Sequence, residues 1–129
     1  FFAWTFGNRD AARLIERSGS SIDAEGQELY ARLARRPAHV GAALGMMANW
    51  DLKTLDQDLP RLAVPLVLVT GSNDRAISPG DAVQVREILP TARIVELPGL
   101  GHLAHEEDPE RVAALIRAEA AEAALPAAA

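Results

Sequence analysis

Pro65 introduces Leu66-Val67-Leu68-Val69-Thr70, an apolar run without polar alternation that stops at Gly71. A strand with one wet face alternates apolar and polar side chains. A run apolar at successive positions instead suits a strand covered on both faces, as in a parallel sheet between helices. Parallel neighbours need a long crossover, usually a helix, and the following residues supply one. Ser78-Pro79 reads as a cap and first helical turn, and Val83, Val85, Ile88 and Leu89 carry the helix to Pro90. Arg93-Ile94-Val95-Glu96-Leu97 is a second short strand, stopped by Pro98-Gly99. Asp108 and Pro109 open a last helix with Val112, Leu115 and Ile116 turned inward, and its alanine-rich tail over 121–129 is expected to fray. Strand, helix, strand, helix predicts an α/β fold with a parallel sheet flanked by helices.

Residues 1–50 follow a different pattern. Asn8 or Asp10 can cap a short helix through Ala12, Leu14 and Ile15 that ends at Ser18-Gly19. Ser21 and Asp23 offer caps for a second helix with Leu29, Tyr30 and Leu33 on one face. Pro37 suits the first turn of a third, carrying Val40, Ala43, Leu44 and Met47. Leu52, Leu55 and Leu59 then give a brief helix ended by Pro60. The division falls near Asn49-Trp50-Asp51, with helices before it and the sheet-forming part over 51–129. The chain opens on Phe1-Phe2-Ala3-Trp4-Thr5-Phe6, core-like composition without an initiating Met, so a fragment of a longer protein is expected. Two strands also make a poor sheet by themselves, which points the same way.

Several function classes drop out on composition. The chain has no cysteine, which removes thiolate catalysis, disulfides and Cys-ligated metal sites. Its net charge of −5 and single lysine, Lys53, argue against nucleic-acid partners. No apolar run reaches the roughly 20 residues of a membrane span. No signal peptide is read either, so a cytoplasmic protein is expected.

In α/β sheets functional residues gather beyond the C-terminal ends of the strands. Two loops qualify: Gly71-Ser72-Asn73-Asp74-Arg75-Ala76-Ile77-Ser78-Pro79, and Pro98-Gly99-Leu100-Gly101-His102-Leu103-Ala104-His105-Glu106. If the strands are neighbours, Asp74 and His102 enter one crevice. A carboxylate beside an imidazole suits an oriented base, with the acid fixing the tautomer and stabilising the imidazolium.

The ordered set Val64-Pro65-Leu66-Val67-Leu68-Val69-Thr70-Gly71-Ser72-Asn73-Asp74, Leu97-Pro98-Gly99-Leu100-Gly101-His102 and Glu107-Asp108-Pro109-Glu110-Arg111-Val112 resembles the C-terminal part of an α/β hydrolase. The resemblance implies that Asp74 is the triad acid and His102 the triad base. It also implies that residues 1–50 are the end of a helical cap. Ile15-Glu16-Arg17-Ser18-Gly19-Ser20, Glu25-Gly26-Gln27-Glu28-Leu29-Tyr30 and the stretch from Pro37-Ala38-His39-Val40 to Asn49-Trp50-Asp51-Leu52 are similar to one subfamily. That subfamily is the α/β hydrolase-like accessory proteins of magnesium chelatase in bacteriochlorophyll biosynthesis. A tetrapyrrole-like small molecule and chelatase subunits are the partners this implies, and no cofactor is expected. The departure from the pattern is the missing G-x-S-x-G elbow, since Ser18, Ser20, Ser21, Ser72 and Ser78 all lack its context. The chain alone is therefore expected to be inert.

Other residues carry blander explanations. Met46, Met47 and Trp50 could line a large apolar pocket, though packing of the cap onto the core also accounts for them. His105 and His39 read as surface or packing histidines. His102, His105 and Glu106 lack a convergent third partner for zinc, so no metal is expected. Glu107 and Pro109 read as helix-start residues, and the acidic run 106–110 as favourable to the helix dipole. Two functions remain: an ester-type hydrolase that draws its nucleophile from upstream, and a non-catalytic porphyrin- or chelatase-binding module on the same fold. A structural interaction domain is weaker, because nothing repeats or coils.

Overall fold

A computed structural model describes residues 7–123; the apolar opening and the end of the tail, 124–129, lie outside them. Among the described residues three helices come first: α1 (Asn8–Arg17), α2 (Ala24–Ala34) and α3 (Pro37–Ala48). A short α4 (Leu55–Asp58) runs into a 3-10 turn, Leu59–Arg61, before β1 (Val67–Gly71). Then come α5 (Pro79–Ile88), β2 (Arg93–Leu97), α6 (Ala104–Glu107) and α7 (Pro109–Ala123). The α/β reading stands: β1 and β2 pair in parallel, with Val67 opposite Arg93 and Gly71 opposite Leu97.

Local chemistry sets most boundaries. Gly7, not Asn8 or Asp10, is the N-cap of α1, and Asp10 at the third position accepts the Gly7 N–H at 2.9 Å. At Gly19 φ is +84°, a conformation open to glycine, and the chain turns sharply there. Asp23 caps α2 by accepting the Gly26 N–H at 2.7 Å. Pro37 occupies the first turn of α3, and Ser78 caps α5 through the Gly80 N–H at 3.2 Å. The α-helical part stops at Asp58, just before Pro60, which sits inside the following 3-10 turn, where a missing N–H does little harm.

The apolar faces read from periodicity are only partly covered. Ala11 and Ile15 are the buried positions of α1, whereas Leu14 is exposed. In α2 the buried residue is Ala31, and Leu29 and Leu33 face outward. Leu44 and Met47 are exposed on α3, and Val83 on α5. Val69 in the middle of β1 is 45% exposed and Ile116 on α7 is 61% exposed, against the expectation that both are inward. The cause is geometric. Among the described residues β1 has one strand neighbour, so one edge and part of a face stay open. Ala82, Leu89, Ala92 and Leu97 form the tight part of the core around β2 and α5. The tail stays helical through Ala123.

Candidate active site

The register brings the two strand-end loops to the same level, because Gly71 is opposite Leu97. Hydrogen bonds then lace the loops together. Ser72 N–H donates to the Leu97 carbonyl at 3.1 Å and Asn73 N–H to the Leu100 carbonyl at 2.9 Å. The Asn73 side-chain amide donates to the Gly99 carbonyl at 2.8 Å, and Gly99 N–H to Ser72 Oγ at 2.8 Å. Gly71 makes this possible: a Cβ there would collide with the carbonyl oxygens of Leu100 and Gly101.

Asp74 is held at both carboxylate oxygens. Oδ1 accepts the N–H groups of Ala76 at 2.8 Å and Ile77 at 2.9 Å, while Oδ2 lies 3.0 Å from His102 Nδ1. Burial by itself would raise the Asp74 carboxyl. Hydrogen bonds from Ile77, His102 and Ala76, with the charge on His102, outweigh it and hold the carboxyl below its ordinary value. An ionised carboxylate only accepts hydrogen bonds, so Nδ1 carries the proton and a neutral ring keeps its lone pair on Nε2. The Asp74 side chain is 12% exposed and that of His102 is 41% exposed. The acid thus sits behind the ring, with the imidazole open beyond it. Among the described residues nothing hydrogen-bonds Nε2.

A cleft of about 290 Å³ adjoins the pair, with Val69, Leu97, Val112, Leu115 and Ile116 among its apolar walls. Apolar walls limit solvent screening and strengthen the carboxylate–imidazole attraction. A larger cavity of about 420 Å³ lies at the opposite ends of the strands, near Arg93, and has no part in this chemistry. There Arg93 binds Glu119 and Glu122, which raise its pKa.

His105 also lines the cleft, but its ring is largely exposed, 3.5 Å from Glu106. His39 is exposed on α3. Met46, Met47 and Trp50 are exposed, and none of them lines the Asp74–His102 cleft. No group of three potential metal ligands gathers among these residues.

Contacts from the helical segment to the site went unread in the sequence. The turn 18–21 docks against both loops. Ser18 carbonyl accepts from Arg75 N–H at 3.0 Å and from His102 N–H at 3.4 Å, and Ser20 Oγ accepts from Leu103 N–H at 2.8 Å. Glu107 is no helix cap: Oε1 accepts from Gly101 N–H at 2.7 Å and Oε2 from Ser21 N–H at 3.1 Å. Within the acidic run, Glu106 accepts a hydrogen bond from the Tyr30 hydroxyl. Burial first, then Glu106, pushes the Tyr30 phenol up to about 12. The paired glycines Gly19 and Gly101 were the only trace of this docking in the sequence.

Residues 1–115 match the model of the Alpha/beta hydrolase family. Over 94 residues the chain is 40% identical to the magnesium-chelatase 30 kDa subunit of Rhodobacter capsulatus, a stretch covering 73% of this chain and 33% of that protein. The chain therefore spans about a third of the length of that curated relative. With the family match running from the helical segment through both loops and into the last helix, the chain belongs to the alpha/beta hydrolase family.

Proposed function

We propose that this chain supplies the base and its orienting acid for ester-type hydrolysis, with His102 as general base then general acid and Asp74 as its carboxylate. A serine on the remainder of the family fold is the nucleophile in this reading, since no G-x-S-x-G occurs here. As serine oxygen bonds to the ester carbonyl carbon, its proton passes to His102 Nε2. Asp74 stabilises the imidazolium so formed. The same proton then goes to the leaving oxygen as the ester C–O bond breaks. Water attacks the acyl-enzyme through the same base, releasing the acid and restoring the serine. One observation carries the reading: the 3.0 Å contact between Asp74 and His102 Nδ1, with Nε2 unengaged among the described residues beside an apolar cleft.

Residues 1–50 act in this reading as the end of a helical cap and 51–129 as core. Exposed Met46, Met47 and Trp50 form apolar surface for a large substrate such as a tetrapyrrole. The reaction takes place in the cytoplasm, in bacteriochlorophyll biosynthesis around magnesium chelatase. The link to magnesium chelatase draws its support from the subfamily resemblance and the relative's name.

That name also favours a second reading, in which the same crevice binds a porphyrin or a chelatase subunit without turnover. A His102→Ala variant of the full-length protein separates the two. Hydrolysis of p-nitrophenyl butyrate lost with folding retained supports the hydrolase. Unchanged hydrolysis and unchanged pigment formation in cells support the binding module.

A further inference from the structure

Three successive backbone N–H groups through the base are all taken by groups outside its loop. Gly101 N–H goes to Glu107 Oε1, His102 N–H to the Ser18 carbonyl, and Leu103 N–H to Ser20 Oγ. The second oxygen of Glu107 holds Ser21 N–H, tying the start of α7's approach to the helical segment. On the acid side, the Ser18 carbonyl also takes the N–H of Arg75, next to Asp74. Ser20 is buried, although its side chain is polar. The packing is as close as backbone permits, since a Cβ on Gly101 would overlap the Gly19 backbone and one on Gly19 would overlap that of Asn73.

We propose that Glu107 and Ser20 are positioning residues that clamp the backbone through His102 onto the turn 18–21, so that the imidazole meets Asp74 only while the α1–α2 hairpin is seated. A catalytic base displaced by about 1 Å can lose on the order of 10²-fold in rate. A loop pinned at three consecutive amides has little room for such drift. The helical segment thus acts on the base from outside the cleft, whose lining it does not join: unseating it releases the base. The catalytic consequence rests on the hydrolase reading above, whereas the geometric one does not.

The test uses the full-length protein with ¹⁵N-labelled histidine. The low-field proton resonance of His102 Nδ1–H, identified by its loss in His102→Gln, reports the bond to Asp74. In Glu107→Gln the amide group places a donor against a backbone donor. We expect the resonance to move upfield or broaden, and kcat for p-nitrophenyl butyrate to fall roughly 10- to 100-fold with KM within about threefold. Ser20→Ala removes one acceptor and gives the same changes at smaller amplitude. If Glu107→Gln does not fold, Ser20→Ala decides. A wild-type resonance in the folded variants overturns the proposal. Wild-type hydrolysis that is independent of His102 defeats the hydrolase reading instead, and the resonance then decides the clamp alone.

Discussion

Replacing Gly101 by Ala adds one methyl group where three backbone atoms already stand. The new Cβ would overlap the carbonyl carbon and oxygen of Gly19 and the amide nitrogen of Ser20, none of which can rotate away like a side-chain tip. Either the turn 18–21 or the His102 loop must withdraw. Withdrawal loosens the bonds from Leu103 N–H to Ser20 Oγ and from His102 N–H to the Ser18 carbonyl. Overpacking of this kind costs about 1–3 kcal/mol, and each neutral hydrogen bond lost adds roughly 1 kcal/mol. Gly101→Ala should therefore destabilise by about 3–5 kcal/mol. Gly41 is the control, because it lies within α3 and a Cβ there meets nothing within 4 Å among the described residues. Gly41→Ala should stabilise by about 0.5–1 kcal/mol through the lower backbone entropy of the unfolded chain. Urea unfolding of both full-length variants, followed by circular dichroism, gives the two numbers. A Gly101→Ala loss below about 1 kcal/mol would refute the docking argument, and a loss at Gly41→Ala as large as that at Gly101→Ala would remove its specificity.

Two pH effects follow from the cited groups. The folded Tyr30 phenol is pushed up to about 12, against roughly 10 in an unfolded chain. The folded state thus holds the proton longer, and this contribution to stability is lost as pH rises from about 10 through 12. Comparing alkaline unfolding of wild type and Tyr30→Phe should show that loss in wild type only; identical curves would contradict it. The Asp74 carboxyl is shifted the other way, below its ordinary value. Its stabilisation is full above about pH 4 and fades as pH falls through the depressed value. The stability advantage of wild type over Asp74→Asn should shrink over that acid range, as measured by urea unfolding at a series of pH values.

Much of the core was legible from short-range pattern. Pro65 and Gly71 bracket a run too apolar for anything but a sheet, and Ser78-Pro79 announces the crossover helix. Once the two strands are parallel neighbours, Asp74 and His102 must leave from the same end, so their meeting could be read from order and loop length. The covering of each face could not. Leu29, Leu33, Val69 and Ile116 have the spacing of buried residues but are exposed. Periodicity shows which face is apolar, whereas burial depends on what lies opposite. Ser18, Ser20 and Glu107 were missed for a related reason. They act through backbone amides distant in sequence, and a backbone amide carries no side-chain signature. Gly19 and Gly101 mark that contact, but a glycine announces only that something comes close.

The central claim is that Asp74 orients His102 for proton transfer, and Asp74→Asn in the full-length protein tests it most directly. Asn keeps the acceptor for Ala76 and Ile77, so the loop stays folded, with a stability change of about 1 kcal/mol. Its amide N–H, however, turns toward Nδ1 and forces the imidazole into the other tautomer, taking the lone pair from Nε2. In a serine-protease triad the same exchange lowers kcat by about 10⁴. A fall of about 10³- to 10⁴-fold in kcat for p-nitrophenyl butyrate, with unfolding free energy lowered by only about 1 kcal/mol, is the predicted result. Hydrolysis within tenfold of wild type in the folded variant would contradict the account.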